Sequence, residues 1–219
     1  MSEVMITVRG EHEVRVAPER AIVSLSVSWE GPDRADVVER TLALAAPVRE
    51  GIQTREEEGA VTTWSSKRLA VRSERPWSGD GTRLALVYHA AVDFTATFVH
   101  FAELSGWVAE ISSWDGVSLS ATDWTLTPET RARVEQEVAA EAVRTALTRA
   151  GAYAAALGLA RVVPVEIADA GLLADSTATP GLQAKAMRAF AAPPEAVGVE
   201  LQGDDIAIAA TVEARFLAG

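Results

Sequence analysis

The chain offers three histidines, His12, His89 and His100, and no cysteine, which narrows at once the chemistry its side chains could perform. Thiol catalysis, disulfides and cysteine-ligated metals are excluded. The most suggestive grouping is His89 with Asp93, four residues apart in a stretch that alternates like a strand. On a strand that spacing separates the two by roughly 13 Å, whereas a metal ion binds its ligands at about 2 Å, so the pair reads as ordinary polar-face residues. Serines are plentiful, but no Gly-x-Ser-x-Gly elbow singles one out as a nucleophile. Gly79-Asp80-Gly81 sits in a turn, where it cannot form a phosphate loop. These readings name no catalytic, metal or cofactor-binding residue. What stands out is Trp77, in a turn-rich segment beside Arg75 and Pro76. Trp and Arg are enriched where binding energy concentrates, which makes Arg75 and Trp77 the partner-binding candidates. The alternative is that Trp77 folds back onto its own hairpin.

The elements that would position these residues follow from periodicity. Thr127 to Leu157 reads as one long helix, with Thr127 as N-cap, Pro128 in the first turn and Glu129 where the dipole favours an anion. It would form a rod of roughly 45 Å, ended by Gly158 and Leu159. Arg133, Glu137, Glu141, Arg144 and Thr148 mark its wet side. Ala139, Ala142, Ala146, Ala150, Tyr153, Ala154 and Leu157 mark the side expected to face a sheet. Met5 to Val16 alternates weakly around Gly10, where a bulge or bend is expected. Ala21 to Trp29 alternates strictly, with Val23, Leu25, Val27 and Trp29 on one face. A second helix opens at Asp33 with a stripe of Val38, Leu42, Ala45 and Ile52, and Pro47 predicts a kink or an end near Ala46. The acidic run Glu56 to Glu58 reads as a solvated turn.

Val61 to Arg72 and Arg83 to Phe98 resemble two arms of a hairpin joined by the Trp77 segment. The second arm keeps eight apolar residues in phase from Leu84 to Phe98, implying a strand of roughly 50 Å, longer than a compact domain readily covers. A homo-oligomer is therefore expected, with the ribbon reaching a second copy. A short helix follows, Phe101 to Ser112, carrying Phe101, Leu104, Val108 and Ile111, with Trp107 near that stripe. Gly116 to Leu126, Arg161 to Ala168 and Asp205 to Leu217 read as further strands, Pro164 confining its own to an edge or a bulge. Trp29 and Trp124 lie in strand phase and read as core. Residues 169–194 are rich in Ala, Pro and Gly, with a helical turn indicated around Lys185 to Phe190, and are expected to be a mobile excursion.

Acidic residues outnumber basic ones, 31 to 20, for a formal charge of −11. No basic cluster is evident in the sequence, so nucleic acid and anionic membrane are not expected partners. The opening MSEVMITVRGEHEV has no signal-peptide features and no stretch reaches 18 uninterrupted apolar residues. A soluble, cytoplasmic chain without a membrane span is the resulting expectation.

The run from Ile6-Thr7-Val8-Arg9-Gly10-Glu11 through Val14-Arg15-Val16-Ala17-Pro18-Glu19-Arg20-Ala21 resembles the opening of the SIMPL-domain family, which includes bacterial stress-defence proteins and outer-membrane immunogens. Gly203-Asp204-Asp205-Ile206 to Val212 resembles its closing strand. The resemblance implies a mixed fold, frequent homo-oligomers, an often periplasmic or secreted location, and no agreed enzymatic activity. The chain is thus expected to be an α+β protein in a single domain, 1–219: a largely antiparallel sheet with one long and two shorter helices packed on it. Its expected role is non-enzymatic, self-assembling and stress-related or scaffolding. The alternative is a small-molecule binder or cryptic enzyme with a pocket between helix and sheet.

Overall fold

The structure is a computed structural model and describes residues 3–173 and 201–219. In chain order the elements are β1 (Val4–Val16), β2 (Arg20–Gly31), α1 (Arg34–Glu57), β3 (Val61–Ser66), β4 (Ala70–Glu74), β5 (Val87–Phe98), α2 (Phe101–Ile111), β6 (Val117–Thr125), α3 (Pro128–Ala156), β7 (Val162–Asp169) and β8 (Ile206–Ala218). The fold is α+β with antiparallel strand pairing, as the patterning predicts. The strands divide between two sheets, and the described residues form two compact units with a core in each.

The first unit comprises residues 3–17, 127–173 and 205–219. Its sheet has the order β1-β8-β7, with α3 against β1 and β8. Thr127 caps α3, its Oγ1 accepting from the Thr130 amide at 3.2 Å, and Pro128 occupies the first turn. The buried face is Val134, Val138, Ala142, Ala146, Ala150 and Ala154. Each step of four residues advances about 40° beyond a full turn, so the line spirals along the helix and can follow a twisted sheet. This corrects the face expected from the sequence. Ala139 is exposed, and Tyr153 and Leu157 are 49% and 61% exposed, because the two valines extend the buried line toward the N-terminus instead.

The alanines permit an unusually close approach by β1. A Cβ on Gly10 would overlap the Ala142 carbonyl oxygen and come within 2.6 Å of the Ala146 nitrogen. Gly10 is therefore where strand backbone meets helix backbone. The bulge expected there is absent: β1 pairs with β8 in unbroken register from Val4↔Ala218 to Val16↔Ile206. Across that pair Arg9 Nη2 donates to Glu213 Oε1 at 2.9 Å, and this bond leads the causes holding the Glu213 carboxyl below its ordinary range. The Pro164 strand is both an edge and bulged, the register shifting between Pro164 and Glu166. Of the expected excursion, residues 169–173 are ordered around the end of β7, with the Leu173 carbonyl accepting from Arg215 at 3.0 Å. Its remainder, including the turn expected at Lys185 to Phe190, lies outside the described residues.

The second unit comprises residues 18–126 with 201–204 and holds the sheet β3-β5-β2-β6, β4 pairing with β5 as well. Alternation in β2 and β5 puts Val23, Leu25, Val27, Val92, Phe94 and Phe98 in the core with residues of α1 and α2. Asp33 caps α1, accepting from the amides of Ala35 and Asp36. The helix runs on through Pro47 rather than ending near Ala46. Pro47 and Ala43 are both exposed, so the carbonyl deprived of its bond faces water. The apolar stripe is also rotated from expectation, burying Val37, Thr41, Ala45, Val48 and Ile52 and leaving Leu42 48% exposed. Thr41 can join it because its hydroxyl donates to the Val37 carbonyl at 2.7 Å. In α2 the buried residues are Leu104, Trp107 and Ile111, with Val108 only partly covered. The Trp107 ring takes the central place, 5.4 Å from that of Phe98. Trp29 and Trp124 are half-buried at the rim, Trp124 edge-on to Phe101. Glu56 is no mere turn residue, since its carboxylate accepts from Trp64 Nε1 at 2.8 Å.

Two consequences are testable by urea denaturation. Gly10→Ala and Ala146→Leu are each expected to cost about 1 to 3 kcal/mol, whereas Ala139→Leu and Arg144→Lys should stay within about 0.5 kcal/mol of the parent. Equal midpoints for the two groups would contradict the packing described. Glu213 has a lowered pKa, so its contribution is present at neutral pH and lost as pH falls through that lowered value. Arg9→Met should then destabilise at pH 7 and converge on the parent in strong acid.

Candidate functional site

The region around β4, β5 and the segment between them gathers the polar side chains that the sequence left unassigned. The two-arm hairpin is corrected here. The first arm is broken into β3 and β4, both pairing with β5, and β5 begins only at Val87. Its 12 residues replace the expected 50 Å ribbon, and Leu84, outside it, is 47% exposed. The break falls at residues 67–69, where the Lys67 amide still donates to the Asp93 carbonyl at 2.8 Å.

Residues 75–86 form a small ordered hairpin beyond β4. Leu84 N donates to Pro76 O at 2.9 Å, Ser78 N to Thr82 O at 2.9 Å, and Gly81 N to Ser78 O at 3.0 Å. Gly81 has φ +81°, a left-handed conformation that glycine adopts without strain. Asp80 accepts from the Ser78 hydroxyl and from the Thr82 amide, and these bonds, Ser78 first, hold its carboxyl below the usual range. Trp77 is bridged to Arg83 across this hairpin, and the Arg83 guanidinium lies 4.9 Å from the ring centroid. The indole is nonetheless 63% exposed, and Arg75 is exposed beside it. Arg83 thus covers part of the ring and leaves most of it in water, with features of both alternatives the sequence allowed.

Behind the tip, strand register lines up Glu30 on β2, His89 on β5 and Arg72 on β4. His89 does not act with Asp93, which pairs with Lys67 at 3.3 Å. Instead its Nδ1 lies 3.1 Å from Glu30 Oε2 and its Nε2 lies 3.3 Å from Glu74 Oε1, with the side chain 19% exposed. Nε2 is buried and no well-aligned hydrogen bond reaches it. A cavity of about 600 Å³ borders this row, lined by Ser28, Trp29, Glu30, Val71, Arg72 and His89 among others. Among the described residues no group of three His, Asp or Glu side chains is placed to hold a metal ion.

The sequence pattern of SIMPL, described as a protein of unknown function, matches residues 6–216. The chain belongs to the SIMPL family. No curated protein matches it. Among the described residues no helix of this SIMPL chain is long and apolar enough to cross a membrane.

Sequence reasoning named Arg75 and Trp77 but missed the setting that distinguishes them. Residues 67–83 carry five basic side chains, Lys67, Arg68, Arg72, Arg75 and Arg83, against Glu74 and Asp80, a net +3 in a chain of −11. A windowed charge count would have found this. The Glu30, His89 and Glu74 grouping was out of reach, because its members lie on three strands whose register no local pattern specifies. For the tip itself, Asp80→Ala is expected to speed amide hydrogen exchange at Gly81 and Thr82 severalfold while leaving β5 unchanged. Unaltered exchange at those two amides would show that the Asp80 bonds do not order the hairpin.

Proposed function

We propose that this SIMPL chain is a self-assembling scaffold protein, without catalysis of its own, whose Trp77 hairpin docks on a second copy. The observation that carries this reading is the exposed indole, flanked by Arg75 and Arg83, on a net-basic segment. Since residues 67–83 are net +3 and the whole chain is −11, the rest of each copy is strongly acidic. A second copy therefore offers the tip a field of opposite sign, which steers encounter, and the indole supplies apolar area to bury on arrival. The family that the sequence resembles includes stress-defence proteins, and we carry a stress-related role over as part of the proposal.

A second reading, a binder of a small apolar molecule, is favoured by a groove of about 480 Å³ between α3 and β7. It is lined by Val143, Leu147, Val162, Val165, Ile167 and Phe216 among others. Binding of an apolar fluorescent dye that Leu147→Glu abolishes would support that reading over assembly.

For assembly, light scattering after size exclusion is expected to give a mass above that of the 23.2 kDa chain at micromolar concentration. Trp77→Ala should weaken association by about tenfold or more without altering the unfolding midpoint, as loss of a hot-spot aromatic does. A monomeric parent, or a variant that associates as well as the parent, rejects the proposal.

A further inference from the structure

The placement of His89 gives the hairpin a root whose hydrogen bonding depends on one proton. Its two ring nitrogens address carboxylates on two different strands, Glu30 on β2 and Glu74 on β4, at 3.1 and 3.3 Å. A neutral imidazole has a single N–H and one lone-pair nitrogen, whereas the imidazolium has two N–H groups. Only the protonated ring can donate to both carboxylates. When the ring is neutral and donates through Nδ1 to Glu30, the Nε2 lone pair faces a carboxylate oxygen, an arrangement with no hydrogen bond in it. When it donates through Nε2, Glu30 is the partner left without one.

Position makes this consequential. Glu74 is the last residue of β4 and immediately precedes Arg75-Pro76-Trp77, so it is where the tip hairpin leaves the sheet. Strand β4 is five residues long, pairs with β5, and has Val71 as its one partly buried residue. With so little apolar burial, the ion pair that a protonated ring makes with Glu74 is a sizeable part of what fastens its end. The other charged group facing the ring is Arg72, cross-strand from His89 on β4 and exposed, and Asp93 farther along β5 is engaged with Lys67.

We propose that His89 is a proton-operated latch: protonation ties the end of β4 to the sheet through Glu74 and holds the Trp77 hairpin in one orientation, and loss of the proton releases it. The inference rests on the hairpin being the self-docking element, and it adds that docking strengthens as pH falls and the ring takes up its proton.

The test separates the latch from the assembly. Amide hydrogen exchange of β4, corrected for the pH dependence of the intrinsic rate, is measured at about pH 5.5 and pH 8 in the Trp77→Ala background, so that association does not intervene. Protection of β4 is expected to fall by about threefold at the higher pH, in keeping with one partly exposed charged pair. Glu74→Gln should remove that pH dependence, because its amide can donate to neutral Nε2, and His89→Gln should do the same. A profile equally flat in the parent, or equally steep in both variants, overturns the latch. Mass measurement of the otherwise native chain at the two pH values then addresses docking: a heavier species at low pH is expected. A monomer at both would reject the self-docking reading and leave the exchange result standing on its own.

Discussion

At Gly10 the backbone of β1 lies so close to the backbone of α3 at Ala142 and Ala146 that no Cβ fits between them. Much of the first unit depends on it. A helix with larger residues on that line would stand off the sheet, and the small apolar residues it covers, such as Ala214 and Ala218, would lose their close cover. The contact selects its residues from both sides: glycine on the strand, where any Cβ collides, and alanine on the helix, where any longer side chain would. The second unit is built differently, on bulky side chains from a strictly alternating sheet and on Trp107, with tolerance for a proline in its exposed helix face.

The legibility of the fold followed that difference. Strand existence was readable wherever alternation was strict, as in β2 and β8, and the N-terminus of α3 was readable from Thr127 and Pro128, whose chemistry is local. The face of α3 was read correctly at Ala142, Ala146, Ala150 and Ala154 but not at its ends, and that of α1 correctly at Ala45 and Ile52 but one position off at Val38 and Leu42. In α1 the buried row includes Thr41, whose hydroxyl is satisfied within the helix, and no hydrophobic pattern counts it. In α3 the alanines were weighted over Val134 and Val138, and Tyr153 and Leu157 were placed inside because they are apolar rather than because the spiral reaches them. Gly10 was read as a bulge or bend, whereas it marks a close approach to α3 that only the position of the helix reveals.

The candidate site was legible in part. Trp77 and Arg75 stood out by residue type in a turn, and the structure adds the Arg83 contact and the Ser78, Asp80 and Thr82 bonds that shape the hairpin. The sequence rightly set aside His89 with Asp93, which a strand holds apart along the chain, but could not show that the sheet brings Glu30 and Glu74 to His89 from neighbouring strands. With β5 only 12 residues long, no extended ribbon is left that would need a second copy to cover it. In the assembly we propose, what replaces it is electrostatic: a net-basic, aromatic tip on an acidic chain would find a counterpart in another copy of itself.

That substitution makes association sensitive to ionic strength in a way a purely apolar ribbon contact would not be, because the Debye length shrinks from about 10 Å at 0.1 M salt to about 3 Å at 1 M. Sedimentation equilibrium of the unaltered chain at low and at high salt is therefore the most direct measurement. A mass well above 23.2 kDa at about 0.05 M salt that declines toward 23.2 kDa as salt rises to about 0.5 M is the expected result. A mass of 23.2 kDa at both, or an oligomer unmoved by salt, would contradict docking through the basic tip.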